Sequence, residues 1–277
     1  TALAEDGNAR LWMGTDRGPR VLSADRNTLS SQRQSVSGRT SLFTEQINDI
    51  YIDRRSLVWL GTQSNGVAIY NPSSEWLSSL EYQPGADFSV SSKSVTAVIS
   101  VEEDVVWQGG QHGLARIDWK AGESRYYTAE NDKGVEQNAI STLFVDSQQR
   151  LWVAYRPGSL SYYDPPSDNF VSALPDLPLF ITHINEMPDG RLLLITRNHG
   201  IFFFDQANNQ LDNISSLTHS NRGFVSDRFQ HSFFDRQGRL WLGSFDAGLM
   251  QFDPETEVVT KHFVHDPSLE HSIPSTL

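Results

Sequence analysis

Ten side chains stand where this sequence could recognise a ligand: Arg17, Asn65, His112, Tyr155, Arg156, Arg197, Asn198, His199, Phe245 and Asp246. They supply guanidinium forks, amides, imidazoles, a carboxylate and aromatic rings. Such groups read hydroxyl and carboxyl oxygens and offer flat apolar faces, a mix suited to polar or sugar-like ligands. They fall in short segments that differ from one another: Asp16-Arg17, Gln63-Ser64-Asn65, Gln111-His112, Tyr155-Arg156, Arg197-Asn198-His199 and Phe245-Asp246. Each lies between the same two conserved-looking stretches of a repeated unit. A constant frame with variable residues at one place is the layout of a binding surface.

Motifs of covalent or metal chemistry are scarce. The sequence has no Gly-x-Ser-x-Gly elbow, no Gly-Lys-Ser/Thr phosphate loop and no His-Glu-x-x-His. His262 and His265 are three apart on an expected strand, so they face opposite sides and cannot share an ion. His112 and His199 occupy matching turns of different units and could converge on a central ion, the basis of a metal-dependent enzyme reading. No metal ligand set and no cofactor are assigned. Asn213-Ile214-Ser215 fits a glycosylation acceptor, a match short enough to carry little.

The elements that must position these residues follow from an internal repeat. One pattern recurs: Asp, a polar turn, Leu-Trp, a small pair, then Gly, an apolar pair and Asp-Pro. Its clearest copy runs Asp235 to Ser244 and then Gly248 to Pro254; another holds Val58-Trp59-Leu60-Gly61-Thr62 and Gly66-Val67-Ala68-Ile69-Tyr70-Asn71-Pro72. The anchors are Trp12, Trp59, Trp107, Trp152, Leu193 and Trp241, so the period is about 41–48 residues, that of a four-stranded propeller blade. Alternating apolar and polar residues predict four half-buried strands per copy. The fold class is therefore all-β: a β-propeller of four-stranded antiparallel blades, with six complete repeats and, in Ser272–Leu277, the first strand of a seventh. The start at Thr1 reads as the middle of a repeat, so residues 1–277 are expected to be a single propeller region cut from a longer chain.

In such a blade the turns between second and third strands share one face with the crossings between blades. That puts the ten candidates on one rim, overhung by 83–88, 129–134 and 219–224. The tryptophans are expected to fill the wedges between blades, and Asp53, Asp146, Asp189 and Asp235 to cap turns. Trp76 and Trp119 fall outside the pattern.

Composition narrows the partners. Asp and Glu number 34 against 22 Lys and Arg, a net charge of −12, which argues against nucleic acid and against anionic lipid. The chain has no cysteine, hence no disulfide and no thiolate metal site. No stretch has the length of a membrane span.

The Leu-Trp-x-Gly-Thr … Gly-Leu-x-x-Phe-Asp-Pro unit resembles the two-component-regulator propeller repeat. The resemblance covers essentially the whole chain, most clearly in copies two and six. It implies the extracytoplasmic sensor region of a membrane-bound histidine kinase, hybrid two-component protein or diguanylate cyclase. It further implies a periplasmic location, no direct membrane contact by this region, a homodimer formed through the parent protein, no enzymatic role for this region, and, in some members, oligosaccharide sensing. The pattern departs at Ala154-Tyr155-Arg156-Pro157 and at Leu193, where the array has either decayed or specialised. Three readings stay open: a sensory propeller for a small polar ligand, a metal-dependent lyase or lactonase-type enzyme, and a protein-binding scaffold.

Overall fold

The computed structural model describes residues 2–268 except 26, 32–44, 75, 132–133, 176, 236 and 267; the side chains of Trp76, His219 and Ser220 are also left aside. Its strands form six four-stranded antiparallel sheets, each built from four consecutive strands in simple up-and-down order. The expected all-β propeller of six blades is what the chain adopts. The seventh-strand segment, Ser272–Leu277, lies outside the described residues.

The inner strands are Leu3–Glu5, Ile47–Ile52, Val95–Glu102, Ile140–Val145, Ile181–Glu186 and Phe229–Phe234. They surround a central channel. The second strands, Leu11–Thr15, Val58–Thr62, Val105–Gly110, Leu151–Tyr155, Leu192–Thr196 and Leu240–Ser244, carry the repeat anchors. The third and outer strands complete each blade. Two short helical turns, Ser216–His219 and Ser220–Arg222, sit in the crossing from blade 5 to blade 6.

Packing between blades forms the core. Five apolar clusters lie in turn between blades 1 and 2, 2 and 3, 3 and 4, 4 and 5, and 5 and 6. Trp12, Trp59, Trp107 and Trp152 are fully buried in them, as large rings in wedge-shaped gaps should be. Trp119 belongs to the same system, edge-on to Trp59 at 5.4 Å between centroids. Trp241, on the side of blade 6 that no such cluster covers, is only half-buried beside the exposed Phe233.

The turn aspartates have a second task beyond capping. Asp53 accepts the backbone N–H of Arg55 and Leu57 on Oδ1, while its Oδ2 accepts the indole N–H of Trp59 at 3.1 Å. Asp6 and Trp12, Asp146 and Trp152, and Asp235 and Trp241 repeat the indole bond. One carboxylate thus closes the first hairpin and fixes the wedge tryptophan. Blade 5 has neither partner: Leu193 stands at the tryptophan position and Met187, six residues before it, at the aspartate position, both buried. The turn itself survives, with Met187 N–H donating to the Arg191 carbonyl at 2.8 Å.

Threonine and glycine fix the turns on the opposite face. Thr62 donates to the Gly66 carbonyl and accepts from the Asn65 N–H; Thr196 does the same with Gly200 and His199. Gly200 has φ +75°, and a Cβ there would stand 2.3 Å from the Ile214 carbonyl oxygen, so only glycine fits.

Candidate functional site

The inner strands of blades 2 to 6 each carry an irregularity near the start. At residues 48, 141, 182 and 230 one extra residue bulges out of the pairing, and blade 3 has its equivalent beside Thr96. Bulges re-aim side chains. The bulged residues are polar and several stitch neighbouring blades: Asn48 donates to the Val95 carbonyl at 2.9 Å, Thr96 to Ile140 at 2.9 Å and Thr182 to Phe229 at 3.1 Å. The next residues form the upper wall of the channel, whose volume is about 730 Å³.

At the channel mouth each turn lies beside the entry of its own blade's inner strand. The backbone N–H groups of Gln63, Arg156, Arg197 and Phe245 donate to the carbonyls of Gln46, Ala139, Phe180 and Arg228 at 2.7–3.0 Å. This extra rung sets Arg197 next to Phe180 and Phe245 next to Arg228. The result is a continuous run of alternating charges and rings. Arg156 lies 5.5 Å from the centre of the Phe180 ring, Arg197 5.4 Å from Phe180 and 5.6 Å from Phe245, and Arg228 5.8 Å from Phe245. Such contacts stabilise a cation by about 0.5–2 kcal/mol, more when water is excluded.

The charges in this run are unequally balanced. Arg228 pairs with Asp246 at 3.4 Å. Asp246 also accepts from Ser226 and Ser244, and the Ser226 hydroxyl first of all holds its carboxyl below the usual range. Arg156 and Arg197 make no ion pair among the described residues. Partial burial, and then the neighbouring Arg197, lower the affinity of Arg156 for its proton. Its Nε–H is buried and meets no acceptor among the described residues.

Deeper in the channel, His183 and His231 from blades 5 and 6 pack at 3.9 Å between ring centres, their planes tilted by 46°. His183 Nδ1 contacts the Ser232 hydroxyl at 3.1 Å, and Asn185 donates to that same hydroxyl. Burial holds His183 well below the usual imidazole range and brings His231 down to about 4, so both are neutral at pH 7. Across the channel, burial raises Asp49 to about 6 although it accepts the N–H groups of Val98 and Ile50.

Of the ten sequence candidates, Arg156, Arg197, Phe245 and Asp246 come together at this mouth. Arg17 is exposed beside Asp16. Asn65 is used by its own turn, and neither residue lines the channel. Asn198 and His199 are exposed outside the channel wall. His112 lies flat against Tyr82 at 6.5 Å and is likewise off the axis. The convergence of His112 and His199 on a central ion therefore does not occur, because neither side chain lines the channel. Tyr155 is not a rim residue: it ends the second strand of blade 4 opposite Ile140, fully buried in the core between blades 3 and 4. Burial raises its hydroxyl well above the usual range. Asn213 of the glycosylation match donates its amide to the carbonyls of His199 and Ile201.

Phe180, Arg228, His183 and His231 were not legible as site residues. For Phe180 and Arg228 a signal existed, since they immediately precede inner strands on the same face as the variable turns. For the histidines, the bulge hides which residues face the channel.

No protein-family model and no curated protein matches the sequence. Solved structures do match its fold. The extracellular domain assigned to the hybrid two-component system BT3049 from B. thetaiotaomicron superposes with a TM-score of 0.77 at 18% identity, over 99% of this chain and 36% of that one. The corresponding domain of BT4673 from the same organism gives 0.53 at 24% identity, over 94% and 37%. Virginiamycin B lyase from Staphylococcus aureus gives 0.70 at 12% identity, over 96% and 84%. This chain thus spans little more than a third of the length of the two-component neighbours. No helix among the described residues is long and apolar enough to cross a membrane. The chain thus has a β-propeller fold that is also seen in the extracellular domains assigned to hybrid two-component systems.

Proposed function

We propose that this propeller is the extracytoplasmic input region of a membrane-bound signalling protein and binds a small polar ligand, an oligosaccharide, at the channel mouth between blades 4 and 6. The observation that carries this reading is the run Arg156–Phe180–Arg197–Phe245–Arg228, in which flat apolar rings alternate with hydrogen-bond forks beside a channel. Sugars present that alternation themselves: apolar ring faces edged with hydroxyls. The fold neighbours from two-component systems support the signalling half of the reading. A location outside the cytoplasm, in the periplasm, belongs to the same proposal. Binding would control an output only by favouring one arrangement of the parent protein over another.

Titration calorimetry with a panel of neutral and acidic oligosaccharides tests this. Phe180→Ala and Phe245→Ala should each weaken binding about tenfold or more, the loss of one stacking face. Thr15→Ala, in a turn remote from that run, should leave it unchanged. Binding that is indifferent to both phenylalanines would refute the placement of the site.

A further inference from the structure

Within this mouth one charge is left without its complement. Arg156 and Arg197 flank the same ring, Phe180, at 5.5 and 5.4 Å, yet no carboxylate pairs with either among the described residues. The chain as a whole carries twelve more negative than positive charges, and the third arginine of the run already has Asp246. An acidic protein that gathers two unneutralised guanidiniums at a cavity entrance keeps like charges together at a cost. Cation–π contact with Phe180 and Phe245 offsets only part of it. Arg156 spends one Nη–H on the Ile140 carbonyl at 3.3 Å and its Nε–H is enclosed, which leaves its other Nη donors for a ligand. An incoming anion would neutralise the pair. A guanidinium fork matches the two oxygens of a carboxylate, and low-dielectric channel walls strengthen the pairing.

Resting on the oligosaccharide reading above, we infer that the ligand is an acidic oligosaccharide, its carboxylate or sulfate group held between Arg156 and Arg197 and its ring against Phe180 or Phe245. The interior of the channel does not compete for this role. His183 and His231 are neutral at pH 7. Asp49 belongs to blade 2, across the channel from blades 4 and 5. Arg228, engaged by Asp246, orients Phe245 and stays outside the anion site.

The probes are a galacturonic acid trimer, a sulfated galactose oligosaccharide and the neutral galactose trimer of equal length, titrated into the chain by calorimetry at low and moderate salt. At least one acidic probe should bind tenfold or more tightly than the neutral one, and that preference should shrink as salt rises. The carboxylate arm against the sulfate arm identifies the acidic group. Arg156→Met and Arg197→Met keep the side-chain stem and should each abolish the preference, while Arg17→Met, exposed and away from the channel, should retain it. Circular dichroism melts of the variants verify that they fold. Equal affinity for acidic and neutral sugars, or an acidic preference that survives the Arg156→Met/Arg197→Met double variant, would overturn the inference and leave the oligosaccharide site standing. Failure of every carbohydrate to bind would remove both.

Discussion

His183 and His231 make the acid stability of this protein depend on two side chains. Each is half-buried in the channel wall, and partial desolvation keeps its folded proton affinity below that of the free imidazole. Between pH 6.5 and about 4 the unfolded chain takes up protons that the folded chain refuses, and folding stability must fall as pH falls through that window. Asp49 acts in the opposite sense: with its folded value raised to about 6, the folded state binds the extra proton between about 4 and 6 and gains stability there. For His231 the displacement to about 4 corresponds to on the order of 3 kcal/mol across the window. Urea unfolding at pH 7 and pH 4.5 should therefore show a smaller acid loss in His231→Gln than in the parent chain. An unchanged loss would mean that the His183–His231 pair is already solvated. Tyr155 teaches a related point at this scale. It was legible as a turn residue because it stands where threonine stands in other copies. It closes the second strand just as Thr62 and Thr196 do in their blades, and at that position the side chain is buried, so its ring enters the core instead of the rim.

At the scale of the blade, the repeat is held by a pair that sequence pattern reveals only indirectly. The spacing of six between Asp53 and Trp59, repeated in blades 1, 4 and 6, is the signature of the indole–carboxylate bond. Blade 5 replaces both partners, with Met187 and Leu193, whereas blade 3 keeps a buried Trp107 with Val101 six residues before it, so the bond serves four of the six blades. Trp59→Phe should cost about 1–3 kcal/mol in urea unfolding, through the lost bond and the smaller ring. Combined with Asp53→Ala, the loss should be clearly less than additive, because the two share one interaction. Strict additivity would show that the bond contributes nothing to stability. The blades themselves were legible because their period, their turns and their alternation are all local properties. The bulges at residues 48, 141, 182 and 230 were not, because they answer to the neighbouring blade: Asn48 and Thr182 bond across to carbonyls of the next inner strand.

For the molecule as a whole, six local units generate one shared feature, a channel whose mouth is built differently from blade to blade. Around blades 1 to 3 the turns are spent on their own geometry, as with Asn65, or on the outside, as with His112. Around blades 4 to 6 they gather charge and rings. The departures at Ala154-Tyr155-Arg156-Pro157 and at Leu193 fall in this half, and Arg156 is one product of them. Half of the site was thus readable as variable turn residues, and the other half, Phe180 and Arg228, depends on a rung between turn and strand entry that only the folded blade displays. Hydrogen–deuterium exchange, measured free and with the tightest-binding oligosaccharide of the panel, tests the placement of function at this mouth most directly. The account predicts protection confined to the strand entries and turns around residues 139–141, 156–158, 180–182, 197–199, 228–231 and 245–247. Protection confined to the opposite face, around the Asp53 and Asp146 turns, or spread over the outer strands alone, would contradict it.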